Sequence, residues 1–537
     1  RLATPAMLRA GYIFVQQDVR GCWMSEGEWQ DVRPFLAKKS AGDVDESSDT
    51  YDTVEWLLRH VPGHNGKVGI WGISYPGFFA TMGALDAHPA LVAASPQAPI
   101  ADWFVGDDFH HNGAFFLPHA FHFYVWFGNP RPYPTKQRDF PFDTGNPDGY
   151  SFFLGMGPLA NSAVYMQGKV GFWRDLMAHG TYDAFWKARD VRPHLGRSRP
   201  ATMVVGGWYD AEDLFGALET YKGIEAKAKG SNVLVMGPWR HGGWHRGDGD
   251  RLGDISFHAK TALFYQENIE LPFFERTLKG IGKGAPPEAW VFETGANQWR
   301  TFDAWPPKQA RPVSFFFGGD GKLLPEAPSE AAPGYDEYVS DPSRPVPYVE
   351  KVATRMVPEY MTSDQRFASR RPDVLVYTTA PLAGDVTVAG PIEVDLTVST
   401  TGTDADFVVK LIDVHPSDLP IPEPNPSGVV LAGYQQLVRG EPMRGKFRGG
   451  LDKPQPFVPG EPTKVTFVMP DVLHTFRAGH RMMVHVQSSF FPLVDRNPQT
   501  FVDIYAAKEG DFRKATQRVY RERGRLSRIG VRVLPSP

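Results

Sequence analysis

Two hydrophobic rhythms divide this chain, and no single layer of secondary structure satisfies both. Up to about residue 284, short β-branched runs alternate with helical patterns; beyond it, only strand-like runs remain, set between Pro/Gly loops. Residues 12–16, 68–71, 91–94, 202–205 and 233–236 read as strands. Residues 49–60 and 75–85 read as helices, the first opened by acidic residues and closed by Pro62-Gly63. Pro76 suits the start of the second, where helix N–H groups need no partner. Strand–helix alternation of this kind predicts a parallel sheet with helices on its faces. Residues 113–197 interrupt it with Phe115, Phe116, Phe121, Phe123, Tyr124, Trp126 and Phe127 among irregular Pro and Gly, followed by helical stretches at 171–178 and 182–188. That stretch reads as an inserted helical cap. Residues 257–278 form a long helical pattern that ends at Lys279-Gly280.

After residue 284 the runs 289–294, 374–378, 392–399, 407–414, 464–469 and 481–487 repeat with the period of two that a half-buried strand needs. They predict a β-sandwich of the jelly-roll kind. The 54 Gly and 48 Pro among 537 residues supply the turns such a domain requires. The expected division is therefore residues 1–112 and 198–284 as one α/β domain, residues 113–197 as its cap, and residues 285–537 as the sandwich. Residues 319–349 and 416–427 are Pro-rich connections, and residues 1–11 read as the tail of a helix.

Composition narrows the function. A net charge of −4 gives no electrostatic reason to expect nucleic acid or an anionic membrane as partner. Cys22 is the sole cysteine, which excludes an intrachain disulfide and a cysteine-based zinc site and suits a packing residue. The uncharged run 68–85 contains Gly69, Gly72, Ser74, Pro76, Gly77 and Thr81, which fit a strand, a turn and a buried helix rather than a membrane span.

Three segments each place a polar residue just past the carboxyl end of an expected strand, where open α/β sheets bind ligands. They are Gly72-Ile73-Ser74-Tyr75-Pro76-Gly77, Gly206-Gly207-Trp208-Tyr209-Asp210 and Gly237-Pro238-Trp239-Arg240-His241. A serine attacks a carbonyl only when a base takes its proton, and a histidine oriented by an aspartate is suited to that task. The chain order Ser74, Asp210, His241 is that of α/β-hydrolases. Ser74 between strand and helix fits a nucleophile elbow, with the Tyr75 N–H aimed at a developing oxyanion. Pro76 stands where the common elbow motif has its second glycine.

These segments, with Gln17-Asp18-Val19-Arg20-Gly21, Ser25-Glu26-Gly27, Asn65-Gly66-Lys67-Val68-Gly69, Ala405-Asp406-Phe407 and the stretch 480–497, resemble the peptidase S15 (CocE/NonD) serine hydrolases. That group includes α-amino-acid ester hydrolases, cocaine-esterase-like enzymes and X-Pro dipeptidyl-peptidases. The resemblance covers nearly the whole chain and implies an α/β-hydrolase domain with a helical cap, followed by a C-terminal jelly roll. It is strongest to the α-amino-acid ester hydrolases, whose acidic cluster beside the triad receives the substrate's ammonium group. The matching residues are Asp108, Glu212 and Asp213. Outside the resemblance, Glu212 and Asp213 could be the first-turn acids of a helix, and Asp107 with Asp108 a polar loop. The resemblance further implies small-molecule ester or amide substrates bearing an α-amino group, no cofactor or metal, and a homo-oligomer. It implies a second oxyanion donor as well, a tyrosine hydroxyl from a segment that precedes Arg1 in the family, so the expectation is a less active and less stable chain than an upstream-extended one. Other readings are an esterase or acylase for different acyl groups, an X-Pro dipeptidyl-peptidase, or a jelly-roll binding protein with an inert hydrolase domain.

His110, His111, His119 and His122 lack a metalloprotease spacing and read as lining of the aromatic cap. His245 is a rival base to His241, disfavoured because Gly242-Gly243 carries it past the strand end.

Overall fold

The computed structural model describes residues 4–129, 133–136, 142–282, 284–328 and 334–535. Parts of the expected N-terminal helix (1–3), cap (130–132 and 137–141) and Pro-rich connection (329–333) lie outside the described residues. A six-stranded sheet carries the first half of the protein. Its strands β1 (Val68–Ile73), β2 (Leu91–Gln97), β3 (Ala201–Gly207), β4 (Asn232–Gly237), β5 (Ala289–Glu293) and β6 (Gln298–Phe302) lie side by side in chain order. The first five run parallel, and β6 folds back antiparallel on β5. Parallel strands covered on both faces need continuous apolar runs, and every residue of β4 is buried.

Helix α1 (Glu46–His60) opens with a reciprocal cap between Asp45 and Ser48. Helix α2 (Tyr75–Ala84) packs on β1 and β2 beneath α1, and its sequence is apolar on almost every side because it is covered on almost every side. Helix α3 (Leu117–Phe127) belongs to the cap, and α4 (Leu214–Lys227) packs on β3 and β4. Thr261–Tyr265 begins a helix that continues to Glu275–Lys279 and stops at the left-handed Gly280. Its wide turn at Gln266–Glu270 immediately precedes Pro272, which has no N–H to give the preceding turn. No helix among the described residues is long and apolar enough to cross a membrane; the uncharged run 68–85 is β1, a turn and α2.

Two expectations are corrected. Residues 12–16 form no strand, and Ile13, Phe14 and Val15 are exposed. The run has the composition of a strand but pairs with no neighbour, and a strand exists only through its ladder. Residues 289–294 belong to the α/β sheet as β5, not to the sandwich, because β5 pairs with β4. β5 is almost wholly buried between β4 and the edge strand β6, and its own residues do not say which sheet it joins.

The C-terminal half is a β-sandwich of antiparallel sheets. One contains Val386–Thr400 at its centre, flanked by Arg528–Val533, Ala515–Glu522 and Thr463–Phe476. The other runs Leu375–Thr378, Arg481–Gln487, Asp406–Val414, Gln435–Arg444. Arg444, fully buried, fastens this domain to the cap. Its guanidinium donates to Asp406 at 2.9 and 3.1 Å and to Asp495 at 2.8 and 3.2 Å. Asp495 in turn accepts the Phe115 N–H at 3.0 Å. Replacing Arg444 by Met strands two carboxylates without a counter-ion, so the variant should lose about 3–5 kcal/mol. Denaturant unfolding checks this; an unchanged midpoint would remove the triad from the account of domain docking.

Candidate active site

The turn from β1 into α2 is sharp. Ser74 has φ 68° and ψ −131°, a backbone state that costs a non-glycine residue about 1–3 kcal/mol. Two close approaches make the turn possible. A Cβ on Gly72 would lie 2.5 Å from Pro76, and one on Gly77 would lie 2.3 Å from the Gln97 carbonyl. That carbonyl accepts the Ser74 N–H at 3.0 Å. Gln97 itself is buried, donating to Tyr265 and Glu270 at 3.0 Å and accepting from Trp244 at 2.8 Å. His245 lies on Glu270 at 3.1 Å, so the rival histidine is a support beneath the elbow. The Ser74 hydroxyl does not cap α2. The Tyr75 ring is fixed by the Val32 N–H donating to its hydroxyl at 2.6 Å, and it lies among Trp29, Trp103 and Phe127.

Asp210 and His241 follow the ends of β3 and β4. Asp210 is buried, accepts the N–H groups of Glu212 at 2.9 Å and Asp213 at 3.1 Å, and receives His241 Nδ1 at 2.9 Å. The opposite edge of the ring, Nε2, faces Glu212 Oε2 at 3.3 Å. Among the described residues no hydrogen bond joins His241 to the Ser74 hydroxyl. Burial alone would disfavour the charged ring, but the Asp210 and Glu212 charges, the Asp210 hydrogen bond and the Asp108 charge outweigh it and raise the pKa to about 10.

The three sequence-predicted carboxylates converge here. Asp108 accepts Trp103 Nε1 at 2.6 Å and faces His119 Nε2 at 2.9 Å. Glu212 Oε2 lies 4.0 Å from the same imidazole nitrogen. Asp213 lies 3.8 Å from His241 Nδ1, and neither of its oxygens accepts a hydrogen bond. Burial, then the charges of Asp108, Asp107 and Asp210, hold its carboxyl well above the usual range. Asp107 plays a different part, accepting the N–H groups of Ala101, Asp102 and Gly216 and so tying this loop to α4. His119 lines the aromatic cap, its ring stacked on Phe109 and Phe123, and has a second part that sequence reasoning missed, as the partner of Asp108. Its sequence neighbours behave otherwise, His110 facing the Trp103 carbonyl and Tyr505, His111 facing Glu441, and His122 facing the Thr354 carbonyl. Asp108, His119 and Glu212 present ligand atoms within 4.8 Å of one another and could hold a cation, as could Asp413, His415 and His480 in the sandwich.

The family model for X-Pro dipeptidyl-peptidase (S15 family) matches residues 1–243, and that for the X-Pro dipeptidyl-peptidase C-terminal non-catalytic domain matches residues 280–529. A crystallised α-amino acid ester hydrolase is 36% identical with a TM-score of 0.91, covering 99% of this chain and 89% of that one. The chain belongs to the S15 peptidase/esterase family of hydrolases. An aminopeptidase from a marine sediment archaeon, Thaumarchaeota archaeon, is likewise 36% identical to this S15 hydrolase, with a TM-score of 0.89 over 96% of this chain and 84% of that one. Cocaine esterase of Rhodococcus sp. (strain MB1 Bresler) is 27% identical over 531 residues, 96% of this chain and 87% of the esterase.

The charge balance around His241 makes a prediction for the S15 hydrolase in its free state. A pKa raised from 6.5 to about 10 contributes stability that is complete below pH 6.5 and lost as pH rises through 10. An NMR titration of the His241 ring should show its midpoint far above that of an ordinary histidine, and Asp210→Asn should lower it. A midpoint near 6.5 in the native protein would contradict this electrostatic picture.

Proposed function

We propose that this hydrolase cleaves esters of α-amino acids through an acyl-enzyme on Ser74. The Ser74 Oγ attacks the ester carbonyl carbon while His241 Nε2 takes the hydroxyl proton. Asp210 holds the ring through Nδ1 and stabilises the imidazolium. The Tyr75 N–H, first of α2, donates to the carbonyl oxygen as it becomes an oxyanion. Collapse breaks the bond to the alcohol, which leaves with the proton from His241. Water then repeats the sequence in the second half, with His241 again as base, and releases the amino acid. An amine in place of water completes an acyl transfer from the same intermediate.

The observation that carries the substrate class is the set of Asp108, Glu212 and Asp213 gathered beside His241 and largely withdrawn from solvent. Buried carboxylates are costly unless a cation offsets them, so the site selects an ammonium group placed next to the scissile carbonyl. The half-buried rings of Trp29, Phe123 and Phe127 around Tyr75 and α3 offer an apolar wall for the acyl side chain. A second reading, release of an N-terminal residue from a peptide, uses the same ammonium site and is supported by the similarity to the archaeal aminopeptidase.

Turnover of phenylglycine methyl ester and of its des-amino analogue, methyl phenylacetate, tests the substrate class. The amino ester should be preferred in kcat/KM by about 10²-fold or more, since a missing cation leaves buried carboxylates unpaired. Ser74→Ala should abolish turnover of both. Equal kcat/KM for the two esters would dismiss the ammonium site, and residual turnover by Ser74→Ala would dismiss the nucleophile. A phenylglycine anilide assayed alongside separates amide from ester preference.

A further inference from the structure

One carboxylate in this site does two things at once. Glu212 Oε2 lies 3.3 Å from His241 Nε2, the nitrogen a serine must face to lose its proton, and 4.0 Å from His119 Nε2. The Ser74 hydroxyl meanwhile makes no hydrogen bond with that nitrogen among the described residues. Glu212 follows directly on the β3 turn that carries Asp210, so a single stretch of backbone holds both edges of the His241 ring: Asp210 on Nδ1 at 2.9 Å and Glu212 on Nε2. Glu212 thus stands at the edge of the ring that Ser74 must face, and its charge, added to that of Asp210, favours the imidazolium, which cannot act as a base.

We propose that Glu212 is a latch on the base, holding His241 Nε2 in the free enzyme and releasing it to Ser74 when the substrate's ammonium group takes Glu212 in its place. This rests on the reading of the carboxylates as an ammonium site. The exchange is balanced. A cation enters beside Glu212, the imidazolium loses one proton from Nε2 to solvent, and the neutral nitrogen turns its lone pair to the Ser74 hydroxyl. The groups facing His241 support this direction. Asp210, Glu212 and Asp213 come from the turn after β3, Asp108 from the loop after β2, and His119 from α3. Four are acids and one is a second imidazole, itself pushed up: burial opposes its charging, but Glu212 and Asp108 prevail. An incoming ammonium offsets Glu212 and so weakens the preference for a charge on the ring it displaces. The latch makes Glu212 a selector in a second sense. A neutral ester fits the pocket but leaves the base protonated.

Calorimetry on Ser74→Ala, which binds without turnover, tests the exchange directly. Binding is measured at about pH 6.5, where an α-amine is still mostly protonated, in buffers of different ionisation enthalpy. Phenylglycine methyl ester should release a measurable fraction of a proton per molecule bound, and methyl phenylacetate should release none. Adding Glu212→Gln should cut the release by at least half. In the otherwise wild-type enzyme, Glu212→Gln should raise kcat for methyl phenylacetate at neutral pH while lowering kcat/KM for the amino ester. A merely structural role would lower both. Tight binding of the amino ester without proton release overturns the latch and leaves the ammonium site standing. Failure of the amino ester to bind more tightly than the neutral one overturns the ammonium site, and the latch with it.

Discussion

The backbone of Ser74 is bent into a state that only a close fit around it can hold. The strain is met by contacts on three sides: the Gln97 carbonyl receives the Ser74 N–H, Pro76 closes over Gly72, and Gly77 lies against β2. Each contact needs the absence of a side chain or the presence of a particular buried one. Gln97 is in turn fixed by Glu270, Tyr265 and Trp244, residues more than a hundred positions away in the chain. The long helix beginning at Thr261–Tyr265, with its wide turn at Gln266–Glu270, therefore supports the elbow from beneath. A strained turn exposed at the end of a parallel sheet presents the hydroxyl to whatever the neighbouring strand ends bring above it.

What they bring is an excess of buried carboxylate. Asp210, Asp108 and Asp213 are all withdrawn from solvent, and the cations available among them are imidazoles. Such an arrangement is not one that stability favours, since apolar residues of similar volume would serve the fold better. The ammonium site proposed above accounts for it. The contrast with Arg444 is instructive, because there two buried carboxylates share one guanidinium with good geometry and nothing is left open.

Much of this was legible in the sequence because the relevant signals are local. Gly72, Ser74, Pro76 and Gly77 announce a strand-to-helix turn by their order, and Asp210 and His241 each follow a short apolar run that ends in glycine. The acidic cluster was legible only through resemblance, since nothing in the spacing of Asp108 and Glu212 brings them together; their meeting depends on Asp107 tying its loop to α4. His119 was not legible as the partner of Asp108. It lies eleven residues beyond Asp108, across a tight hairpin, His110–His111 with Ala114–Phe115, that returns the chain to the site. Residues 12–16 and β5 misled for a common reason: a strand-like run of residues does not say which sheet, if any, it joins.

The central claim is that the Ser74 hydroxyl is the nucleophile of this site. Labelling the native protein with a fluorophosphonate and mapping the adduct by peptide mass spectrometry tests it most directly. The account predicts a single adduct, on Ser74, that disappears when the protein is unfolded before labelling. An adduct on another serine, or a folded protein that takes up no label, would contradict it.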